Sequence, residues 1–140
     1  MSGKPRYPPP MCDLPAVSGA YILLIDLARP LTLDISALGP ATLPPGRYAY
    51  CGSASGPGGI RARVGRHLKP DKRPHWHIDR LTGPGRVVLA SAYPDGHECT
   101  LFARLLSLPG VTVPVPGFGS TDCRHCPSHL AAVPAGFTPL

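Results

Sequence analysis

The chain has 140 residues, a formal net charge of +6 at neutral pH and five cysteines. A chain of this length forms one compact domain that buries roughly two thirds of its unfolded surface, so it needs no additional cross-link. No apolar run has the length of a signal peptide or a membrane span, and an odd number of cysteines without a secretory context argues against a disulfide framework. We therefore expect a cytoplasmic protein that has no membrane partner.

The distribution of apolar residues predicts a single domain between two terminal segments. Residues 1–17 carry Lys4, Arg6 and several prolines, which predicts a flexible basic arm. Residues 18–133 contain the apolar segments and are expected to form the folded domain, as a monomer. Residues 134–140 are expected to be a loose tail.

Four segments have the pattern of β-strands. Ser18–Leu27 is a continuous apolar run introduced by a glycine, which is typical of a buried strand. Leu31–Ile35 alternates apolar and polar residues, as a half-exposed strand does. A turn at Leu43–Gly46 leads to the strand Arg47–Gly52, and Arg86–Tyr93 is the last strong strand.

Three segments have the pattern of helices. The first follows the glycine-rich loop Gly56–Gly59 and runs from Ile60 to about Lys69, since the residue before a proline avoids helical geometry. His75–Leu81 predicts a short helix, and His97–Leu106 predicts a longer one with an apolar face. Strands and helices together predict a small α/β sandwich, with a mainly antiparallel central sheet of three or more strands flanked by helices.

Most of the net charge lies in one segment of the chain. Between Ile60 and Arg80 there are seven lysines and arginines against two aspartates, a net charge of +5 out of the total of +6. A charge concentrated in this way is typical of a site for a polyanion, although a solvated helix face remains the alternative. We therefore expect nucleic acid as a partner.

Phenol, imidazole and guanidinium groups lie on both sides of the glycine-rich loop. Tyr48 and Tyr50 are alternate residues of one strand and share a face. Arg63 and His67 are four residues apart and lie on one side of a helix. The loop lets the backbone approach a ligand, and its amides are expected to bind an oxyanion at the helix start. These groups suit a site that holds a phosphate and moves a proton, whereas tyrosines packed in the core are the alternative.

These residues resemble the motifs of the GIY-YIG nuclease superfamily. The first motif stands as Gly19-Ala20-Tyr21 and the second as Tyr50-Cys51-Gly52, followed by Arg63, His67 and, on a later helix, Glu98. The strings YCGSASGPGGIRARVGRHL, HWHIDRL, HEC and GFGSTDCRHCPSHL more closely resemble an uncharacterised branch of that superfamily. Members of that branch occur alone or fused to DNA glycosylases of the endonuclease III type.

The resemblance implies a metal-dependent endonuclease that hydrolyses phosphodiester bonds in DNA, in repair or recombination, with a DNA glycosylase or another repair protein as a partner. The implied catalytic residues are Tyr21, Tyr50, Arg63, His67 and Glu98. Glu98 is also the implied ligand of Mg²⁺ or Mn²⁺, whereas a first-turn glutamate favoured by the helix dipole is the alternative. The expected nucleic-acid-binding residues are Tyr48, Ser53, Gly58, Arg61, Arg66, Lys69 and His77.

The chain departs from the superfamily in two respects. The loop between Gly52 and Arg63 is longer and more glycine-rich than in the usual nucleases. The chain also contains no asparagine, so the C-terminal asparagine of many members has no counterpart, and His129 or Ser128 is expected in that space. These departures favour an alternative function, a non-catalytic DNA- or RNA-binding module that retains the nuclease fold.

The tail has a spacing that is typical of metal ligands, Cys123-x2-Cys126-x2-His129. A zinc site usually has four ligands, and only one such cysteine pair is present, so we expect no zinc there. Cys99 and His97 would complete a site only if the tail folded back on the last helix. A zinc-stabilised interaction domain is the third interpretation of the sequence.

Overall fold

The computed structural model describes residues 14–35, 39–68, 78–82, 84–119 and 126–137. Six strands and three helices lie within these residues. They are, in chain order, β1 (Gly19–Leu27), β2 (Leu31–Ile35), β3 (Gly39–Leu43), β4 (Gly46–Ala54), α1 (Gly59–His67), α2 (Asp79–Thr82), β5 (Arg86–Pro94), α3 (Glu98–Leu106) and β6 (Leu130–Val133).

Four strands form an antiparallel central sheet in the order β5-β1-β4-β6. β1 pairs along its whole length with β4 on one side and with β5 on the other. β2 and β3 form a separate two-stranded sheet. The predicted fold class, an α/β sandwich with a mainly antiparallel central sheet, is confirmed.

The alternation of side chains along β1 explains why helices cover both faces of the sheet. Leu23 and Ile25 belong to a hydrophobic cluster that includes residues of α1 and α2. Ile22 and Leu24 point to the opposite face and belong to a cluster that includes residues of α3. Burying each of these side chains contributes about 1.5–3 kcal/mol. A strand that is apolar on both faces therefore places the sheet between two helical layers.

The predicted strands and helices have counterparts in the structure, and two further strands were not predicted. β6 is an apolar segment of four residues, and it forms a strand because it pairs with β4. In this pairing Arg47 lies opposite Val133 and Tyr50 lies opposite Leu130. β3 contains Pro40 and ends at Leu43, which we had assigned to a turn. Both strands depend on partners, whereas single-segment patterns report only on local preference.

The helices begin and end close to the predicted residues. α1 starts at Gly59 and ends at His67, and α3 starts one residue later than predicted, at Glu98. The described part of the short helix is Asp79–Thr82; residues 75–77, predicted to begin it, lie outside the described residues. In the described part of the chain, no helix has the length and apolar character needed to cross a membrane.

Both terminal segments contain residues that are attached to the domain. Leu14 is buried, and its carbonyl oxygen accepts a hydrogen bond of 2.7 Å from Nε of Arg61. At the other end, the carbonyl oxygen of Phe137 accepts a hydrogen bond of 3.0 Å from Nη1 of Arg47. The described parts of the predicted arm and tail therefore lie against the folded domain.

Candidate active site

All five residues that the resemblance marks as catalytic line one cavity of about 140 Å³. β1, β4, α1, α3 and the segment that leads into β6 each contribute at least one side chain to its wall. The lining residues are Tyr21, Tyr50, Gly52, Ser53, Arg63, His67, Glu98, Gly119 and His129. Residues that are far apart in the sequence therefore share one space in the fold.

Three buried side chains form a hydrogen-bonded chain, of which Tyr21 and His67 line the cavity and Asp79 lies behind them. The hydroxyl oxygen of Tyr21 lies 2.6 Å from Nε2 of His67. The other ring nitrogen of His67, Nδ1, lies 3.4 Å from Oδ1 of Asp79. The side chains of His67 and Asp79 are 1% and 0% exposed, so water does not compete for this chain of contacts.

The chemistry of the three groups fixes the direction of proton donation. An ionised carboxylate only accepts hydrogen bonds, so Nδ1 of His67 carries the hydrogen that faces Asp79. Nε2 of the neutral ring is then an acceptor, and the Tyr21 hydroxyl donates to it. His67 is therefore oriented to take the phenol proton of Tyr21.

Burial keeps both phenols of the cavity protonated at neutral pH. Burial raises the pKa of Tyr21 well above its usual value, and nearby Tyr50 raises it further, whereas the guanidinium of Arg63 lowers it in part. Burial is also the main reason why the pKa of Tyr50 is raised. Tyr21 is thus a hydrogen-bond donor that loses its proton only when an acceptor and a nearby cation act together.

Sequence reasoning did not identify Asp79 as a site residue. It counted Asp79 only as an acidic residue within a basic segment. No periodicity relates it to His67, because the two residues lie on different helices. Asp79 is also the partner of Arg66, with 3.7 Å between Oδ2 and Nη2. An aspartate inside the otherwise cationic segment was the one available signal.

The Asp79→Asn substitution should lower any cleavage rate by about 10²-fold or more, because His67 would lose the acceptor that holds its ring in the productive tautomer. The rate is measured by following cleavage of labelled DNA.

The matched control for Asp79→Asn is Asp26→Asn. Asp26 forms an ion pair with Arg47, with N–O distances of 2.7 and 3.0 Å, and neither residue lines the cavity. Its loss should lower stability without lowering the cleavage rate. An unaltered rate in Asp79→Asn would contradict the orienting role of Asp79.

Gly52 permits the position of the Tyr21 ring. Tyr21 and Gly52 are cross-strand partners, and a Cβ atom added at Gly52 would overlap Cζ and Oη of the phenol. The ring therefore crosses β4 in the space that any other residue would fill. This contact gives a physical reason for glycine at the end of the Tyr50-Cys51-Gly52 motif.

The Gly52→Ala substitution should destabilise the protein by about 1–3 kcal/mol, because the added methyl group displaces a buried ring. It should also separate the Tyr21 hydroxyl from His67 and abolish cleavage. Urea unfolding and a cleavage assay measure the two effects. Gly136→Ala is the control, since nothing lies within 4 Å of an added Cβ there. Equal stability of the two variants would contradict this packing argument.

Arg63 lies between this cavity and a second one. Its Nη1 atom donates a hydrogen bond of 2.9 Å to the carbonyl oxygen of Ser53, which fixes the guanidinium at the rim. The second cavity has a volume of about 190 Å³. Its lining residues are Ala54, Gly56, Pro57, Gly59, Ala62, Arg63 and Arg66. The planar donors of Arg63 suit bidentate contact with a phosphate placed at the boundary between the two cavities.

Glu98 supplies the carboxylate of the cavity. It is the first residue of α3, its side chain is 16% exposed, and Oε1 lies 3.5 Å from Nδ1 of His97. Mg²⁺ commonly takes one or two protein carboxylates and keeps several waters, so a single carboxylate at a partly open cavity fits this ion. The donor set is therefore compatible with the Mg²⁺ or Mn²⁺ that the sequence predicts.

Tyr48 does not line the cavity, although it shares a face of β4 with Tyr50. Its ring is buried with 2% exposure, and its hydroxyl donates a hydrogen bond of 2.5 Å to the carbonyl oxygen of Pro44. The structure therefore places Tyr48 in the core, where it has no exposed surface for a nucleic-acid contact.

The first amides of α1 already have acceptors. Gly59 donates to the carbonyl of Gly56 at 3.1 Å, and Ile60 donates to that of Val17 at 2.9 Å. Arg61 donates to the carbonyl of Pro15 at 3.0 Å. The amide of Gly59 is therefore already paired, and oxyanion binding by the other amides of the loop stays a prediction.

The remaining nucleic-acid-binding candidates have different surroundings. Gly58 is exposed and has a φ of 82°, so glycine is needed there to begin α1. Ser53 is exposed and lines the cavity. Arg61 and Arg66 contact Leu14 and Asp79 as described above. Lys69 and His77 lie outside the described residues.

Of the two residues proposed for the asparagine space, His129 lies in the cavity. Burial lowers the pKa of His129, which favours the neutral ring at neutral pH. Ser128 is fully buried, and its hydroxyl lies 3.3 Å from the carbonyl oxygens of Phe118 and Leu130. His129 is thus a site residue, whereas Ser128 stabilises the segment that carries it.

Fold and site together define a small α/β domain with a cavity that combines two phenols, two imidazoles, a guanidinium and a carboxylate. The family model described as "Domain of unknown function DUF123" matches residues 20–139, which include every residue of this cavity. The chain belongs to that family. No curated protein and no solved structure matches the chain.

Proposed function

We propose that this protein is a metal-dependent endonuclease of the GIY-YIG type that hydrolyses phosphodiester bonds in DNA, in repair or recombination. The observation that carries the proposal is the 2.6 Å contact between the Tyr21 hydroxyl and Nε2 of His67, in the cavity that also contains Arg63 and Glu98. This contact places a proton donor and its acceptor beside a cation and a carboxylate.

Tyr21 and His67 form the proton-transfer path of the proposed reaction. A water molecule gives its proton to the Tyr21 oxygen as the phenol proton moves to Nε2 of His67, and Asp79 stabilises the imidazolium through Nδ1. The water oxygen forms a bond to phosphorus while the bond to the bridging oxygen breaks. The bridging oxygen then takes a proton from solvent and the imidazolium of His67 returns one to solvent, so the step balances and the enzyme is restored.

Arg63 and Glu98 stabilise the negative charge of the phosphate in the proposed reaction. The guanidinium of Arg63 binds a non-bridging phosphate oxygen and stabilises the negative charge that builds up on the phosphate in the transition state. Glu98 holds Mg²⁺ or Mn²⁺, which when bound supplies Lewis-acid stabilisation of the phosphate. Tyr50 lies with its ring centroid 6.4 Å from that of Tyr21, where its hydroxyl can orient the attacking water.

The second cavity suits a neighbouring phosphate of the same strand. Arg63 and Arg66 both line it, and both belong to the basic segment that carries most of the net charge. Contacts of this kind bind any sequence, and they make affinity fall with rising salt. The protein is therefore expected to recognise the backbone and shape of its substrate more than the base sequence.

The direct test is incubation of the full chain with labelled branched, nicked and linear DNA, and with the matching RNA molecules, in Mg²⁺, Mn²⁺ or chelator. Metal-dependent products from DNA are the expected result. Salt-sensitive binding without products under every metal condition would contradict the nuclease.

That second outcome would support the alternative, a non-catalytic DNA- or RNA-binding module. The absence of asparagine from the chain favours this alternative, since His129 stands in the cavity where many nucleases of this superfamily use an amide. A DNA glycosylase or another repair protein remains the proposed partner in either case.

A further inference from the structure

Two cysteines and a histidine meet beside the cavity, outside the proton-transfer path. The sulfur atoms of Cys99 and Cys126 and one ring nitrogen of His129 all lie within 4.8 Å of one another. Nε2 of His129 is 3.6 Å from Sγ of Cys99. The structure records Cys99 and Cys126 as a disulfide, with their Cα atoms 5.8 Å apart.

The backbone holds this cluster together independently of the bond between the two sulfur atoms. Pro127 accepts a hydrogen bond of 2.7 Å from the amide of Gly117. His129 donates to Phe118 at 2.7 Å and accepts from Cys51 at 2.9 Å. The segment that carries Cys126 and His129 is therefore fixed next to Cys99 in the first turn of α3. Reduction of the disulfide leaves all three ligands in place.

We propose that the reduced protein binds one Zn²⁺ ion through Cys99, Cys126 and His129. Zinc takes thiolate and imidazole ligands in tetrahedral geometry, with bonds of about 2.3 Å to sulfur and 2.0 Å to nitrogen, which places such neighbouring ligand atoms about 3.6 Å apart. The observed separation of Cys99 and His129 agrees with this value. Rotation of the two reduced cysteine side chains opens the space between their sulfur atoms for the ion.

The chemistry of the ligands also supports zinc at this cluster. Thiolate ligands prefer zinc to magnesium, so the cluster and the Glu98 carboxylate select different ions. The sequence argument against zinc rested on the number of ligands. Cys99 from α3 joins Cys126 and His129 to give three protein ligands, and a water molecule would complete the four that zinc usually takes.

The proposed zinc would link the segment that carries Cys126 and His129 to α3 at the edge of the cavity. Cys99 directly follows Glu98, and His129 itself lines the cavity. The ion would therefore fix the distance between the carboxylate and the wall formed by His129. This role is structural and does not depend on the nuclease activity.

The test is the metal content of the full chain, purified without an affinity tag or chelator and in the presence of a phosphine reductant. Elemental analysis should find about one zinc per chain in the wild type and in Cys51→Ala. Cys51 is the matched control, because it is a buried free cysteine outside the cluster. Cys99→Ser and Cys126→Ser should each lose most of the zinc.

A titration of the reduced, metal-free wild type with Co²⁺ decides the question if a serine variant fails to fold. Binding at the cluster should produce thiolate-to-cobalt absorption in the near ultraviolet and the strong visible bands of tetrahedral Co²⁺. Chelator should also lower the melting temperature of the zinc-loaded wild type. Absence of both zinc and cobalt–thiolate absorption, or full zinc content in both serine variants, would overturn the proposal.

Discussion

Replacing Tyr21 with phenylalanine should lower the rate of DNA cleavage by about 10²–10⁴-fold. The hydroxyl that donates to His67 at 2.6 Å would be lost, and with it the path from the attacking water to the imidazole. The ring would remain, so the buried contacts of β1 with α1 should persist. Single-turnover cleavage of a labelled DNA substrate measures the rate, and thermal unfolding measures the fold.

Tyr48→Phe is the matched control for this experiment. Tyr48 is as deeply buried as Tyr21, but its hydroxyl donates to the carbonyl of Pro44 and lies outside the cavity. Its removal should cost about 1 kcal/mol of stability and leave the cleavage rate unchanged. Equal rates in the wild type and Tyr21→Phe would remove Tyr21 from the mechanism. Equal losses in both tyrosine variants would indicate a general effect of lost buried hydrogen bonds.

Replacing Glu98 with glutamine should lower metal-dependent cleavage by about 10³-fold or more, because the neutral amide is a poor ligand for Mg²⁺ and the Lewis acid would be lost. The amide has nearly the same shape as the carboxylate, so α3 should keep its position. Cleavage measured over a range of Mg²⁺ and Mn²⁺ concentrations gives the result. A higher metal concentration should recover only part of the rate.

Asp34→Asn is the control for the change in charge. Asp34 is an exposed residue of β2, in the separate two-stranded sheet, and it does not line the cavity. Its substitution should leave the rate and its metal dependence as in the wild type. Binding of DNA in chelator should be similar in all three proteins. Full metal-dependent activity in Glu98→Gln would exclude Glu98 as the metal ligand.

The difference between Tyr48 and Tyr50 shows where sequence reasoning reached its limit. Alternation along a strand correctly placed both rings on one face of β4. The surroundings of the two rings differ because different elements pack against them. Tyr50 packs edge-on against His67 and Phe118, with ring centroids 6.4 and 6.3 Å apart, at the end of the sheet where the cavity lies. Tyr48 lies near the turn that precedes β4.

The glycine-rich loop gives a second example. The sequence correctly predicted that the loop leads into a basic helix. It also suggested free amides at the helix start, since a helix leaves its first N–H groups without partners inside the helix. The structure satisfies these groups with carbonyls of residues 15 and 17, which the sequence had assigned to a flexible arm. A local pattern does not show which distant segment will supply the acceptors.

The sequence by itself determined the strongly patterned elements of this protein, namely β1, β4, β5, α1 and α3, because their apolar spacing and glycine boundaries are local properties. It also determined that Arg63 and His67 share one side of a helix. Only the tertiary structure decided that Asp79 contacts His67, that Gly52 makes room for Tyr21, and that Cys126 and His129 return to Cys99. Those contacts depend on strand register and on how separate segments pack, and both are set by long-range burial that no single stretch of sequence encodes.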